Sequence, residues 1–254
     1  MLEWTNDDFS IEKAADLAEC SEAAYYGALS MRKFCKQHNI TKYQNFDTDG
    51  AQGFVAIKGD ITVIAFRGTE PKEIGDILAD LNAIPRKSMT DGWVHSGFRG
   101  ELDKLWDDIT NYVKKHGTKR VYFTGHSLGA AMATIACSRW HEPAKLYNYG
   151  SPRAGTRGFV RMFDSKHEAH RFVNNNDIVP KVPMAIMGYL HVGQLHYINH
   201  HGKLRSMTWW QRWKDQWRGR VRAWQKHQPF DGVFDHSMGL YAQKLVGLKS
   251  NQSD

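Results

Sequence analysis

A chain of 254 residues, 41% hydrophobic and 24% charged, is long enough to bury a sizeable core, and its composition excludes a disordered or membrane-spanning protein. Its three cysteines, Cys20, Cys35 and Cys137, are odd in number and each lies in a helix-like stretch, which suits buried thiols and speaks against a disulfide framework or a cysteine metal site. The net charge of +7 is concentrated in residues 203–226, where eight lysines and arginines accompany one acid, Asp215; with no basic groove or known module, nucleic acid is excluded as a partner. The first eight residues are acidic where a secretory signal is basic and then apolar, so a reducing, cytoplasmic location is expected, with export by a non-classical route left open.

Residues 10–26 carry alanine, leucine and tyrosine at helical spacing behind a serine cap, and 31–38 reads as a short second helix. Residues 54–58 and 61–66 flank the turn Gly59-Asp60 and predict a hairpin that begins the sheet, its second strand apolar enough to be central. After Arg67-Gly68-Thr69, the residues Ile74, Ile77, Leu78 and Leu81 repeat at three- and four-residue steps. Between Pro71 and Pro85 they predict a short amphipathic helix, either a surface helix packed on the core or a hinged flap. A longer helix runs to about His116, with Leu102, Leu105, Trp106, Ile109 and Val113 on one face.

Val121, Tyr122 and Phe123 then form a buried strand, and residues 130–136 are good helix formers. Between them Gly125-His126-Ser127-Leu128-Gly129 fits the nucleophile elbow, a sharp strand-to-helix turn that pushes the serine out at the sheet's C-terminal edge. The helix start aims free N–H groups at charge developing beside the hydroxyl. His126 is expected to be packed rather than catalytic.

Strands at 145–149 and 170–174 follow, with a helix around 159–163 between them, and residues 188–198 read as another strand. Strands alternating with helices predict an α/β fold with a mostly parallel sheet and helices on both faces, and Thr69, Ser127 and Asp177 then fall at carboxyl ends of strands, where ligands bind. A serine nucleophile needs a histidine base oriented by a carboxylate. Of the downstream aspartates only Asp177 closes a strand; among the later histidines, His236 opens the last helix and suits a base reaching back to Ser127. His191, His196, His200 and His201 match no standard metal-ligand spacing, and no cofactor or metal is implied.

Several segments together resemble the fungal-type, or class 3, lipases of the α/β-hydrolase fold. They are Phe66-Arg67-Gly68-Thr69, the lid-like stretch 77–85, Val94-His95-Ser96-Gly97-Phe98, the elbow, Tyr149-Gly150-Ser151-Pro152-Arg153 and Asn176-Asp177-Ile178-Val179-Pro180. The resemblance implies one α/β-hydrolase domain over residues 1–254 with a lid at about 70–85. It implies a triad of Ser127, Asp177 and His236, oxyanion donors at the N–H groups of Thr69 and Leu128, and lid contacts with substrate through Ile74, Ile77, Leu78 and Leu81. The activity implied is hydrolysis of carboxylic esters, most of all acylglycerols, through an acyl-serine. A short-chain esterase, phospholipase or acyltransferase on the same triad, or a silent lipid-binding protein, are the alternatives.

The chain departs from that pattern in a Trp- and Arg-rich helical insertion at about 207–227, which holds five of the nine tryptophans. On a helical wheel Trp210, Trp213, Trp217, Val221 and Trp224 share one face, and Arg212, Arg218, Arg222 and Lys226 the other. Two readings follow. The tryptophan face packs on the body with the basic face in water, or the helix makes peripheral contact with a lipid surface.

Overall fold

The computed structural model describes residues 2–68, 84–225, 232 and 235–250. Helices α1 (Ile11–Ala23) and α2 (Gly27–Gln37) precede strands β1 (Lys42–Thr48), β2 (Ala51–Lys58) and β3 (Ile61–Phe66). Next come β4 (Pro85–Lys87), β5 (Trp93–His95), α3 (Ser96–His116), β6 (Arg120–His126), α4 (Leu128–Arg139) and β7 (Lys145–Tyr149). The rest is β8 (Gly155–Thr156), α5 (Arg157–Lys166), β9 (Glu168–Asn174), β10 (Tyr189–Leu190), β11 (Gln194–Ile198), β12 (Leu204–Arg205), α6 (Trp209–Gln225) and α7 (Met238–Ser250). Among the described residues an eight-stranded sheet has the order β1-β2-β3-β6-β7-β9-β11-β12, and a small sheet the order β10-β8-β5-β4. From β3 to β11 the large sheet is parallel; β1, β2 and β12 are antiparallel additions at its edges.

Both faces of the sheet are covered, which is why its central strands are continuous apolar runs rather than alternating ones. Phe54, Ala56, Val63, Tyr122, Tyr147 and Phe172 pack with α1, α2 and α7 on one side. Val55, Ile64, Phe66, Phe123 and Leu146 pack with α3, α4 and α5 on the other. The expected serine cap of α1 is present, Ser10 Oγ accepting the Lys13 N–H at 3.1 Å. The two ends of the described chain meet at buried Asp16. Its carboxylate accepts the Leu2 N–H and Trp4 Nε1–H, both at 3.1 Å, and Lys249 Nζ at 2.9 Å.

Three expectations are corrected. The sheet begins not with the β2–β3 hairpin but one strand earlier, with β1. Its sequence is polar and half exposed, as an edge strand tolerates, so it gives little apolar signal. Residues 188–198 are two strands in different sheets, broken where Gly193 takes φ +65° and gives its N–H to Asp164 at 3.0 Å.

The third correction concerns α6. Trp210, Trp213 and Trp217 are 62%, 51% and 59% exposed, so this tryptophan face is not the packed one. What docks is the polar side. Buried Asp215 accepts the Tyr197 hydroxyl at 2.9 Å, the His200 N–H at 3.1 Å and the His200 ring, and Gln216 Nε2 donates to the Asn175 carbonyl at 3.1 Å. A buried carboxylate must be fully bonded, and that demand, rather than the wheel's apolar face, orients the helix.

Candidate active site

Strand β6 lies in mid-sheet and ends at His126, and α4 starts two residues later. The single residue between, Ser127, has φ 57° and ψ −129°, a conformation that costs a non-glycine residue roughly 1 kcal/mol or more. The surroundings hold it there: its N–H donates to the Tyr149 carbonyl at 3.1 Å, and its carbonyl accepts from Ala130 and Ala131 at 3.0 and 3.3 Å. The flanking glycines are required by close approach. A Cβ on Gly125 would strike the Gly129 carbonyl, and one on Gly129 the Phe66 carbonyl. Leu128 opens α4, so its N–H has no acceptor within the helix.

Asp177 lies three residues beyond the end of β9, and His236 two residues before α7; their side chains are fully buried. The Nδ1–H of His236 donates to Asp177 Oδ1 and Oδ2, both at 2.9 Å. The carboxylate also accepts the Val179 N–H at 2.9 Å and the Tyr241 hydroxyl at 2.6 Å. This leaves Nε2 of His236 as the ring nitrogen without a hydrogen bond among the described residues. The ring sits beside the elbow, its centroid 4.4 Å from that of His126, the neighbour of Ser127 in sequence. Asp177 and His236 are thus brought together beside the residue that precedes Ser127. Thr69, Ile74, Ile77, Leu78 and Leu81 lie outside the described residues.

Sequence reasoning missed the residues that hold this pair in place. Asp235 Oδ2 accepts the Asn176 N–H at 3.0 Å, and Asn174 Nδ2 donates to the Asp235 carbonyl at 2.8 Å, so the loop bearing His236 is clamped to the turn bearing Asp177. Tyr241 accepts the Asn174 N–H at 2.9 Å while donating to Asp177. Burial against Asp177 raises its hydroxyl well above the ordinary tyrosine value and keeps it a donor. His126 is packed, as expected: its Nδ1 is hydrogen-bonded to the Tyr25 hydroxyl at 2.7 Å. Burial, then the adjacent His236, push its pKa well down, so it stays neutral beneath the site.

A family model described as Lipase (class 3) matches residues 63–187. The secreted mono- and diacylglycerol lipase A of Penicillium cyclopium is 32% identical over 215 residues, covering 75% of this chain and 69% of that protein. The solved lipase from Rhizopus microsporus var. chinensis superposes with a TM-score of 0.64 at 25% identity, covering 74% of each chain. The Rhizomucor miehei triacylglyceride lipase superposes with a TM-score of 0.67 over 92% of this chain and 96% of that one; at 22% identity this speaks for the fold. The cytoplasmic location expected from the acidic first residues is corrected here. The Penicillium relatives are named as secreted, which points outside the cell. With an α/β-hydrolase sheet, a strained serine at its elbow and this degree of likeness, the chain belongs to the class 3 lipase family of serine ester hydrolases.

Proposed function

We propose that the substrates are acylglycerols and that Ser127 is the nucleophile, His236 its base and Asp177 the orienting acid. The observation that carries this reading is the buried Asp177–His236 pair set beside a serine held at positive φ. Asp177 fixes the proton on Nδ1 and leaves Nε2 to take the Ser127 proton as Oγ attacks the ester carbon. Negative charge then develops on the former carbonyl oxygen, where the Leu128 N–H, at the positive end of α4, and the Thr69 N–H would receive it. The proton passes from Nε2 to the departing glycerol oxygen. Water, deprotonated by the same nitrogen, attacks the acyl-serine and releases the fatty acid and free serine. The choice of acylglycerol is supported by the relatives named mono- and diacylglycerol lipases.

The direct test is substitution. Ser127→Ala and His236→Ala should each reduce ester turnover by roughly 10⁴–10⁶-fold with folding retained, because triad members act as a unit. Near-normal turnover in His236→Ala, with the loss found instead in His201→Ala or His227→Ala, would overturn the base assignment. The apolar stripe Ile74, Ile77, Leu78 and Leu81 we assign to a lid that covers Ser127 in water and turns outward on lipid, where its exposure is no longer unfavourable. Ile77→Asp with Leu78→Asp should then lower turnover of emulsified acylglycerol more than of a dissolved short ester, and equal losses would refute gating.

A further inference from the structure

The buried Arg139 is matched by a carboxylate, that of Asp103, and the partly buried Arg120 by Asp7 and Asp60. Arg171 is not. It stands on β9 with its Nε buried and, among the described residues, without a hydrogen bond or an ion pair. Together with Arg153, Lys181 and Arg212 it lines a cavity of about 320 Å³ between β9, β11, the turn after Asp177 and α6. No carboxylate is among the described residues that line this cavity. The nearby Asp215 is occupied by Tyr197 and His200. Arg153 donates to the carbonyls of Lys181 and Pro183, which fixes the guanidinium without neutralising it.

The charges are felt within the cavity. Burial, with Arg153 and Arg212 alongside, lowers Arg171 to about 10. His191, which lines the same space, is pushed well below its ordinary value by burial and by Arg171, and is held by the Pro180 carbonyl at 2.8 Å. Partly desolvated guanidinium groups that share a space, with no counter-charge among the described residues lining it, are unfavourable unless an anion completes them. Guanidinium forks match the oxygens of phosphate, and the volume, at the lower end for small-molecule sites, exceeds that of an inorganic ion.

The rim shows where such an anion comes from. Trp213 lines the cavity and is half exposed, with Trp210 and Trp217 exposed on the same helix. On the segment that follows Pro183, Met184, Ile186 and Met187 are 60%, 91% and 48% exposed. A tryptophan ring at the edge of a cationic hollow, with exposed tryptophans on the same helix and exposed apolar side chains on the segment after Pro183, suits the headgroup level of a membrane. We propose that this cavity binds the phosphate group of an anionic membrane lipid, with Arg153, Arg171 and Arg212 as its donors, and that the exposed face of α6 rests on the surrounding lipid. Asp177 and Lys181 belong to one turn, so the docked site lies within a few residues of the catalytic acid.

The test uses the full chain and ether-linked lipids, which an ester hydrolase does not cleave. Vesicles of phosphatidylcholine alone are compared with vesicles also containing phosphatidate, or oleate as an anion without phosphate. The protein should bind phosphatidate vesicles best, and Arg171→Gln with Arg212→Gln should weaken that binding by roughly tenfold or more, the loss of two charge-assisted contacts. Lys214→Gln with Arg218→Gln removes the same charge from exposed positions of α6 and should weaken it only by about two- to threefold, as screened surface charges do. Arg212→Gln alone serves if the double variant does not fold. Equal losses in the two pairs, or equal binding to oleate and phosphatidate vesicles, would overturn the phosphate site. Thermal stabilisation by inorganic phosphate, abolished in Arg212→Gln but unaccompanied by vesicle binding, would overturn the lipid as its source.

Discussion

Gly150 offers the sharpest test of how the site is built. It sits at φ +56°, and a Cβ there would lie 2.8 Å from Asp177 Oδ2 and from His236 Cε1 and Nδ1. Ordinary contact begins near 3.4 Å, so Gly150→Ala forces the pair apart by about 0.6 Å, enough to take the 2.9 Å bonds to the 3.5 Å limit of hydrogen bonding. Neither side chain is free to yield, because Tyr241 and the Val179 N–H fix the carboxylate and both side chains are fully buried. Backbone strain at positive φ adds about 1 kcal/mol. Turnover should fall by roughly 10²-fold, as for a reactive group misplaced by a fraction of an ångström, with the ~10⁴-fold cost of disabling the acid as the upper bound. Gly50→Ala is the control: it has φ +83° and nothing within 4 Å of the added Cβ, so it bears the strain alone. The assay is turnover of a dissolved short ester beside urea unfolding. A folded Gly150→Ala protein whose turnover stays within about threefold of wild type would refute the wedge argument.

Two further expectations follow. Tyr241→Phe removes a donor from Asp177 and an acceptor from the Asn174 N–H; it should cost about 1–3 kcal/mol in urea unfolding and roughly tenfold in turnover, and no change in either would deny Tyr241 its positioning role. Stability should also fall on acidification. His167 and His196 are lowered from 6.5 to about 4, each mainly by burial, so the unfolded chain binds more protons than the folded one between those values. Their contribution is fully present above pH 6.5 and is lost as pH falls towards 4. His167→Gln, which keeps an acceptor for the Ala144 N–H, should flatten the acid slope of unfolding free energy, and an unaltered slope would remove His167 as a source.

What was legible in the sequence was local. The elbow occupies one strand, one turn and one helix, and its glycines are demanded by contacts within that unit and with the neighbouring strand end. Asp177 stands out in the sequence because it follows a strand, and His236 because it precedes the last helix, and the structure hydrogen-bonds the two to each other. The clamp between Asp235 and residues 174–176, and the support from Tyr241, depend on side chains some sixty residues apart and leave no periodic trace. The wheel of α6 separated tryptophans from arginines but held no information on which face meets the body. Asp215 decided that, through partners on β11 and in the turn after it.

The contact of Leu2, Trp4 and Lys249 with Asp16 bears on synthesis. Lys249 reaches that carboxylate across 233 residues of sequence, and α7 packs beside α1 in the same core. A chain emerging from the ribosome has α1 and α2 to cover that face of its sheet but lacks the share of it that α7 buries until α7 appears, and such exposed apolar surface invites aggregation or chaperones. His236 and Tyr241 arrive at the same moment. Covering that part of the core and pairing His236 with Asp177 therefore depend on the same segment of chain.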